Sequence, residues 1–323
     1  MSKQITQLTG GAFLAWPEMM NRLLGELTNR FHADISKKEV FGDIVYLPEW
    51  NQEGVPYWCK TAFLSPAKMT FDSIGEAAAA LKEIQRNWGP YQFTQFRRAT
   101  LIQEKLPYIN LKVKQFPCTI PESPIGVWTL LDQNTMLFSP NTSSTFPGGH
   151  LELQEDHENP PSRAYLKIQE AIIRCASGVY PGISKPLPKP GERCLDAGAC
   201  PGGWTWVLRQ LGATVVAIDR APLADSLMED PCVTFMKHDA FTLKPQELGA
   251  FDWIFSDVIC YPERLYQWVT MWLDSGMVKN MICTIKMQGE TDWNLIQQFA
   301  DIPGSKIQHL NYNKHELTWF HLV

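Results

Sequence analysis

Four charged side chains, Lys167, Asp257, Lys286 and Glu316, are scattered through the second half of the 323-residue chain, each in a short distinctive phrase. Lys167 ends Ser162-Arg163-Ala164-Tyr165-Leu166-Lys167, and Asp257 ends Phe255-Ser256-Asp257. Lys286 lies in Ile285-Lys286-Met287, and Glu316 closes Asn313-Lys314-His315-Glu316. Two ammonium groups and two carboxylates around one spot can handle a proton: a lysine takes it, while the carboxylates orient the amines and balance their charge. An ordinary lysine keeps its proton up to pH ~10.4. A second ammonium and loss of water work against that proton, and carboxylates work for it, so residue types alone leave the direction open. Singly, each has a plainer use: Lys167 as a solvated helix lysine, Asp257 as a helix cap, Lys286 and Glu316 as a surface pair. The four phrases in order argue for a joint role.

A fifth phrase, Leu195-Asp196-Ala197-Gly198-Ala199-Cys200-Pro201-Gly202-Gly203-Trp204, reads as an apolar strand, a turn and a helix start. Glycines let a backbone approach a ligand with no Cβ in the way, and the free N–H groups of a helix start suit a carboxylate. Asp219 ends the next strand, where an acid accepts from ribose hydroxyls, and Asp239, in His238-Asp239-Ala240, ends the third, where an acid can take an adenine amine. The G-x-G-x-x-G spacing of dinucleotide folds is absent. Pro-Gly-Gly-Trp with acids downstream fits S-adenosylmethionine better, with S-adenosylhomocysteine as its spent form. The cofactor-binding candidates are Ser162, Asp196, Gly198, Cys200, Pro201, Gly202, Gly203, Trp204, Asp219, Asp239 and Asp257.

Strands and helices that alternate from Arg193 onward must position these groups. Strands are predicted at residues 194–196, 214–219, 233–236, 252–257 and 281–286, with helices at 203–211, 265–273 and 293–300 and a closing hairpin at 307–312 and 317–323. That alternation implies a mostly parallel α/β sheet with helices on both faces, whose ligands bind beyond the carboxyl ends of the strands. A helix is predicted at 163–176, and a Pro-rich loop at 181–190. The first half reads as a smaller α+β domain with strands at 6–16, 43–47, 106–116 and 126–138, a helix after Pro17 and a helix capped by Ser73. The implied division is 1–150, a linker at 151–161, and 162–323.

Composition is that of an ordinary globular chain, 45% hydrophobic and 20% charged. A net charge of −5 excludes a broadly basic nucleic-acid coat, so RNA contact must be local. The candidates are Arg86, Arg97, Arg98, Lys112 and Lys114, interleaved with Trp88, Tyr91, Phe93, Phe96 and Tyr108. Even odds stand between a solvated face and an RNA surface for the basic groups, and most of the aromatics read as core. The eight cysteines show no metal-ligand spacing and read as buried reduced thiols; no metal is expected. No signal peptide or membrane span is read, so the cytoplasm is the expected compartment, with no obligate protein partner evident.

The tetrad phrases and the glycine turn are together similar to FtsJ-type (RrmJ-type) ribose 2′-O-methyltransferases, over residues 162–323. Gly198 to Thr205 and Ser226-Leu227-Met228 resemble the branch that modifies a large-subunit rRNA cytidine. The first half, including Phe13-Leu14-Ala15-Trp16-Pro17 and residues 141–149, is loosely similar to that branch's ferredoxin-like and THUMP region, and is shorter. The resemblance implies a Rossmann-like class I methyltransferase domain with an antiparallel last strand, and S-adenosylmethionine as cofactor. It implies a Lys167-Asp257-Lys286-Glu316 tetrad with Lys286 as general base, and ribosomal RNA as partner. Two other readings stand beside it. A methyltransferase of a non-RNA substrate has less use for two lysines, and an inactive cofactor- or RNA-binding module has less use for an intact Lys286 and Asp257.

Overall fold

The computed structural model describes residues 3–118, 125–176 and 187–323. It divides into one unit of Met1–Lys114 with Ile120–Glu152, and a second of Gln115–Thr119 with Leu153–Val323.

The first unit runs β1 (Gln4–Gln7), β2 (Gly11–Ala15), α1 (Met20–Asn29), β3 (Glu39–Phe41), β4 (Ile44–Leu47), β5 (Cys59–Phe63), β6 (Ala67–Thr70), α2 (Ile74–Ile84), β7 (Trp88–Pro90), α3 (Phe96–Gln103), β8 (Gly126–Leu130) and β9 (Thr135–Ser139). A four-stranded antiparallel sheet has the order β3-β4-β2-β5. A five-stranded sheet has the order β1-β6-β9-β8-β7, with only β7 and β8 parallel among its pairs. Alternation along β8 and β9 explains why the second sheet is covered twice. Trp128, Leu130, Met136 and Phe138 face Leu81 and Ile102 of the helices, while Val127 and Leu137 face Leu14, Tyr46 and Phe63 of the other sheet.

Three expectations fail here. The strand predicted over 126–138 is a hairpin of two, β8 and β9, parted by a turn at residues 131–134. The strand predicted over 6–16 is two strands in different sheets, β1 beside β6 and β2 between β4 and β5, with the break at residues 8–10. The strand predicted over 106–116 is irregular, because Pro107 lacks a donor and Asn110 turns the chain by accepting from the Lys112 N–H at 3.1 Å. The nearby regular element is instead α3.

The second unit runs α4 (Tyr165–Ala176), β10 (Arg193–Ala197), α5 (Gly203–Gln210), β11 (Thr214–Asp219), α6 (Asp225–Met228), β12 (Val233–Lys237), α7 (Pro245–Leu248), β13 (Phe251–Ser256), α8 (Pro262–Asp274), β14 (Val278–Lys286), α9 (Trp293–Asp301), β15 (Ser305–Gln308) and β16 (Glu316–His321). The helix expected from 163 begins at Tyr165, and residues 181–186 of the expected Pro-rich loop lie outside the described residues. Seven strands form one sheet in the order β12-β11-β10-β13-β14-β16-β15. β10 to β14 pair in parallel, and β16 is antiparallel to both neighbours. This is the doubly wound sheet with an antiparallel last strand that the second half was expected to form.

Central strands covered on both faces need continuous apolar runs, and Trp253-Ile254-Phe255 and Met281-Ile282-Cys283 supply them, all buried. Phe255 stacks on Trp253 at 5.8 Å and meets Trp204 of α5 edge-on at 6.3 Å. Truncating such a ring to alanine costs about 3–5 kcal/mol. It also anchors the strand end that leads to Asp257.

Candidate active site

Sheet direction explains how distant residues meet. Asp257 follows the last residue of β13, Lys286 closes β14, and Asp219 closes β11, all at the carboxyl edge. Ser256 pairs with Cys283, so one further step sets Asp257 beside Thr284, and Lys286 lies two residues on, on the same face. β16 runs the other way, so its first residue, Glu316, arrives at that same edge directly opposite Lys286. Lys167 comes from the first turn of α4. The indole N–H of Trp204 donates to the Ala164 carbonyl at 3.0 Å and ties α5 to the segment entering α4.

The four side chains form one cluster. Lys167 Nζ lies 2.7 Å from Glu316 Oε1 and 3.1 Å from Asp257 Oδ2. Lys286 Nζ lies 2.5 Å from Asp257 Oδ1 and 3.9 Å from Glu316 Oε1. The Thr284 hydroxyl donates to Asp257 Oδ1 at 2.7 Å. Side-chain exposure is 15% for Lys167, 18% for Asp257, 13% for Lys286 and 7% for Glu316. Burial works against the charge on Lys167, yet the Asp257 and Glu316 carboxylates outweigh it and hold its ammonium above the usual lysine range. Burial would raise the Asp257 carboxyl, but Lys286 and Lys167 bring it below the usual range.

Beside this cluster the glycine turn closes over the ends of β10 and β11. Gly198 has φ +80°, and a Cβ there would stand 2.2 Å from Val258 Cγ2, in the residue after Asp257. Gly202 has φ +114°, and its Cβ would stand 2.3 Å from Leu227 Cδ1. Both positions therefore demand glycine. The Asp219 carboxylate is held by the backbone N–H groups of Cys200 at 3.0 Å and Ala221 at 3.1 Å. Gly203 opens α5 against Ser162, and Pro201 is exposed at the turn. The edge offers the N–H groups of the α5 start at one end and the acids Asp219 and Asp257 at strand ends, donor and acceptor types that suit the methyl donor expected from the sequence.

A model of the FtsJ-like methyltransferase family matches residues 160–287, which include Lys167, Asp257, Lys286 and the whole glycine turn. Over those residues the chain is similar to an FtsJ-like methyltransferase domain. It is 38% identical over 143 residues to "Ribosomal RNA large subunit methyltransferase M" of Halorhodospira halophila, covering 44% of this chain and 40% of the relative. The protein of the same name from Thauera aminoaromatica is 30% identical over 191 residues, 56% of this chain and 51% of its own. The matches thus span about half or less of these relatives. Among solved structures, the Methanococcus jannaschii fibrillarin pre-rRNA processing protein overlays 50% of the chain and 76% of its own, at 21% identity and a TM-score of 0.37.

Two other expected residues, Asp196 and Trp204, are buried beneath the turn rather than set on the open edge. Asp196 is 1% exposed and accepts from Thr205 Oγ1 at 2.6 Å beneath the turn. Burial pushes its carboxyl up to about 7, although the Thr205 hydrogen bonds oppose the shift. Trp204 is likewise buried, as the brace just described. The Asp239 carboxylate is held by Arg220 at 2.6 Å and Arg264 at 3.0 Å. Thr284 was not singled out from the sequence; its signal is its place two residues before Lys286 on one strand face. A separate cleft of about 750 Å³, lined by Glu155, Tyr165, Gln169, Trp206 and Gln210 among others, contains none of the four tetrad residues. Among the described residues no three His, Cys, Asp or Glu side chains gather as a metal site, and no helix is long and apolar enough to cross a membrane.

In the first unit Arg86, Arg97 and Lys112 are exposed, Lys114 is half-buried, and Arg98 lies over the Phe71 ring at 5.6 Å. Trp88 is core, Tyr91 and Phe93 stack on each other at 5.9 Å, and Phe96 and Tyr108 stand 59% and 79% exposed.

Proposed function

We propose that the protein methylates a ribose 2′-hydroxyl of ribosomal RNA, with Lys286 as general base of the Lys167-Asp257-Lys286-Glu316 tetrad. The observation that carries this reading is the part-buried cluster of two ammoniums and two carboxylates, set at the sheet edge beside the glycine turn. The printed name of the relatives supports large-subunit ribosomal RNA as the substrate, and the resemblance supports a cytidine. Work on that RNA belongs in the cytoplasm.

S-adenosylmethionine, when bound, supplies a methyl already activated by its sulfonium. What is left to the chain is to hold a ribose oxygen in line and to remove its proton as the new bond forms. Lys286 Nζ accepts that proton as the neutral amine, once its ammonium has released its own proton to solvent. Asp257, gripped by Thr284 and both lysines, orients the two amines. Lys167 and Glu316 balance the charge that moves when the proton does. Asp219 would take the ribose hydroxyls of the cofactor, the N–H groups opening α5 its carboxylate, and Asp239 the adenine amine on Oδ1, which now accepts from the Phe241 N–H at 3.0 Å. Arg86, Arg97, Arg98, Lys112 and Lys114 contact RNA phosphates, and Phe96 and Tyr108 offer rings for unpaired bases.

Lys286→Ala tests the reading. Methyl transfer to in vitro transcribed large-subunit rRNA should fall by about 10³-fold, with cofactor affinity by calorimetry within about twofold. Undiminished turnover would remove Lys286 as base. Mapping 2′-O-methyl sites in RNA from cells with and without the protein then identifies the nucleotide.

A further inference from the structure

Glu170 lies one turn beyond Lys167 on α4, and both it and Arg174 are fully buried. Oε1 of Glu170 receives the Arg174 guanidinium, with Nε at 2.8 Å and a terminal nitrogen at 2.7 Å, and also the backbone N–H of Asn311 at 3.0 Å. Oε2 receives the backbone N–H of Tyr312 at 3.1 Å. Asn311 and Tyr312 lie in the turn between β15 and β16, and Glu316 follows Tyr312 by four residues. The last part of that turn is pinned in its own right, because the Asn313 side-chain amide donates to the Glu316 carbonyl at 3.1 Å.

We propose that Glu170 is a positioning residue for Glu316. One helix thereby holds both parts of that residue: Lys167 grips its carboxylate, and Glu170 grips the backbone that delivers it. Residues three apart on a helix share a face, so the two grips move as one body. A buried carboxylate is costly unless its oxygens are engaged. Glu170 engages one oxygen with the Tyr312 N–H and shares the other between Arg174 and the Asn311 N–H, which is the arrangement expected of a group that fixes a geometry. The catalytic half of the proposal rests on the tetrad reading; the anchoring half does not.

The test uses the full chain with two readouts. Glu170→Gln sets a donor against the Tyr312 N–H, so hydrogen exchange at Asn311 and Tyr312 should speed up by at least about tenfold. Turnover on the same rRNA transcript should fall about tenfold, as for a small misplacement of a reacting group, with KM within about twofold. In a Glu316→Gln background the same change should cost less than about twofold, because the group being positioned is gone. If Glu170→Gln does not fold, Glu170→Met with Arg174→Met removes the buried ion pair together and keeps the experiment. Unaltered exchange at the two amides, or an equal loss in both backgrounds, overturns the proposal. Full turnover by Glu316→Gln alone would instead overturn the tetrad, and the exchange result would still decide the anchor.

Discussion

Two carboxylates at the carboxyl edge of one sheet each hold two cations, but in different surroundings. Asp257 holds Lys167 and Lys286, with the three side chains 18%, 15% and 13% exposed. Asp239, 23% exposed, holds Arg220 and Arg264, which are 77% and 47% exposed. Burial opposes ionisation at both, and at both the cations win and bring the carboxyl below its usual range. The difference lies in what replaces a lost partner. Water and salt ions can stand in for an exposed arginine. Little can stand in for a lysine inside the tetrad, so its removal leaves an orphaned charge. Charges that solvent cannot replace are the ones able to control a proton, so the proposed chemistry falls to the sheltered cluster.

Removing a sheltered cation is the hardest blow to that contrast. Lys167→Met leaves the Asp257 and Glu316 carboxylates facing each other with one lysine between them. Breaking a buried pair costs about 3–5 kcal/mol, enough to lower the melting temperature of this domain by roughly 10 °C. Turnover should fall about 10²–10³-fold. A variant that melts within about 2 °C of the parent would show that the sheltered cluster is as replaceable as the exposed one.

Asp219 lies between the two extremes, held by backbone N–H groups and by no cation within ion-pair distance. Asp219→Ala should weaken S-adenosylmethionine binding by about 10–100-fold, as two hydrogen bonds to a charged acceptor are lost. Calorimetry reads this directly. Asp219→Asn, which still accepts from Cys200, should recover part of the loss, and equal affinity in all three proteins would exclude Asp219 from the cofactor.

Asp196 is a buried acid with no ion pair among the described residues, and it should show in the pH dependence. Its folded value near 7 lies above the ordinary carboxyl value of 3.8. Stability from this group is therefore complete below about pH 4 and is lost as pH rises through 7, because the unfolded chain ionises first. Asp257 does the opposite, contributing above its ordinary carboxyl range and losing that as pH falls, whereas Lys167 has the sign of Asp196 but loses its contribution only as pH rises past the lysine range. Neither titrates near neutrality. Asp196→Asn keeps an acceptor for Thr205 and removes the charge, so its melting temperature should gain on the parent between pH 4 and pH 8. Parallel curves would mean that Asp196 stays ionised.

The tetrad was legible in the sequence because each member sits in a local phrase at a strand end or helix start, and the strand pattern placed those ends on one edge. What escaped depends on long-range pairing. Leu111-Lys112-Val113-Lys114 alternates as an edge strand does, but Leu111 and Val113 are 54% and 48% exposed and the segment joins no sheet. The 6–16 segment was read as a strand, yet nothing local says that its two halves join different sheets. Glu170 and Arg174 look like an ordinary exposed pair one turn apart; their burial is decided by a turn far along the chain. The acids Asp219 and Asp239 were chosen by position; of their present partners only Cys200 lies in a motif, and Ala221, Arg220 and Arg264 carry none.

The mildest change completes the comparison. Arg264→Ala removes one cation from Asp239 and leaves Arg220 in place. An exposed ion pair contributes about 0–1 kcal/mol, so the melting temperature should move by no more than about 2 °C. Cofactor affinity should change by less than about threefold, and in 0.5 M salt the difference from the parent should vanish, because screening already weakens the pair there. The same salt should leave the Lys167→Met defect in place, since the sheltered cluster admits few ions. A large, salt-resistant loss from Arg264→Ala would mean that the Asp239 cluster is as dependent on its cations as the tetrad, and that exposure does not separate the two clusters.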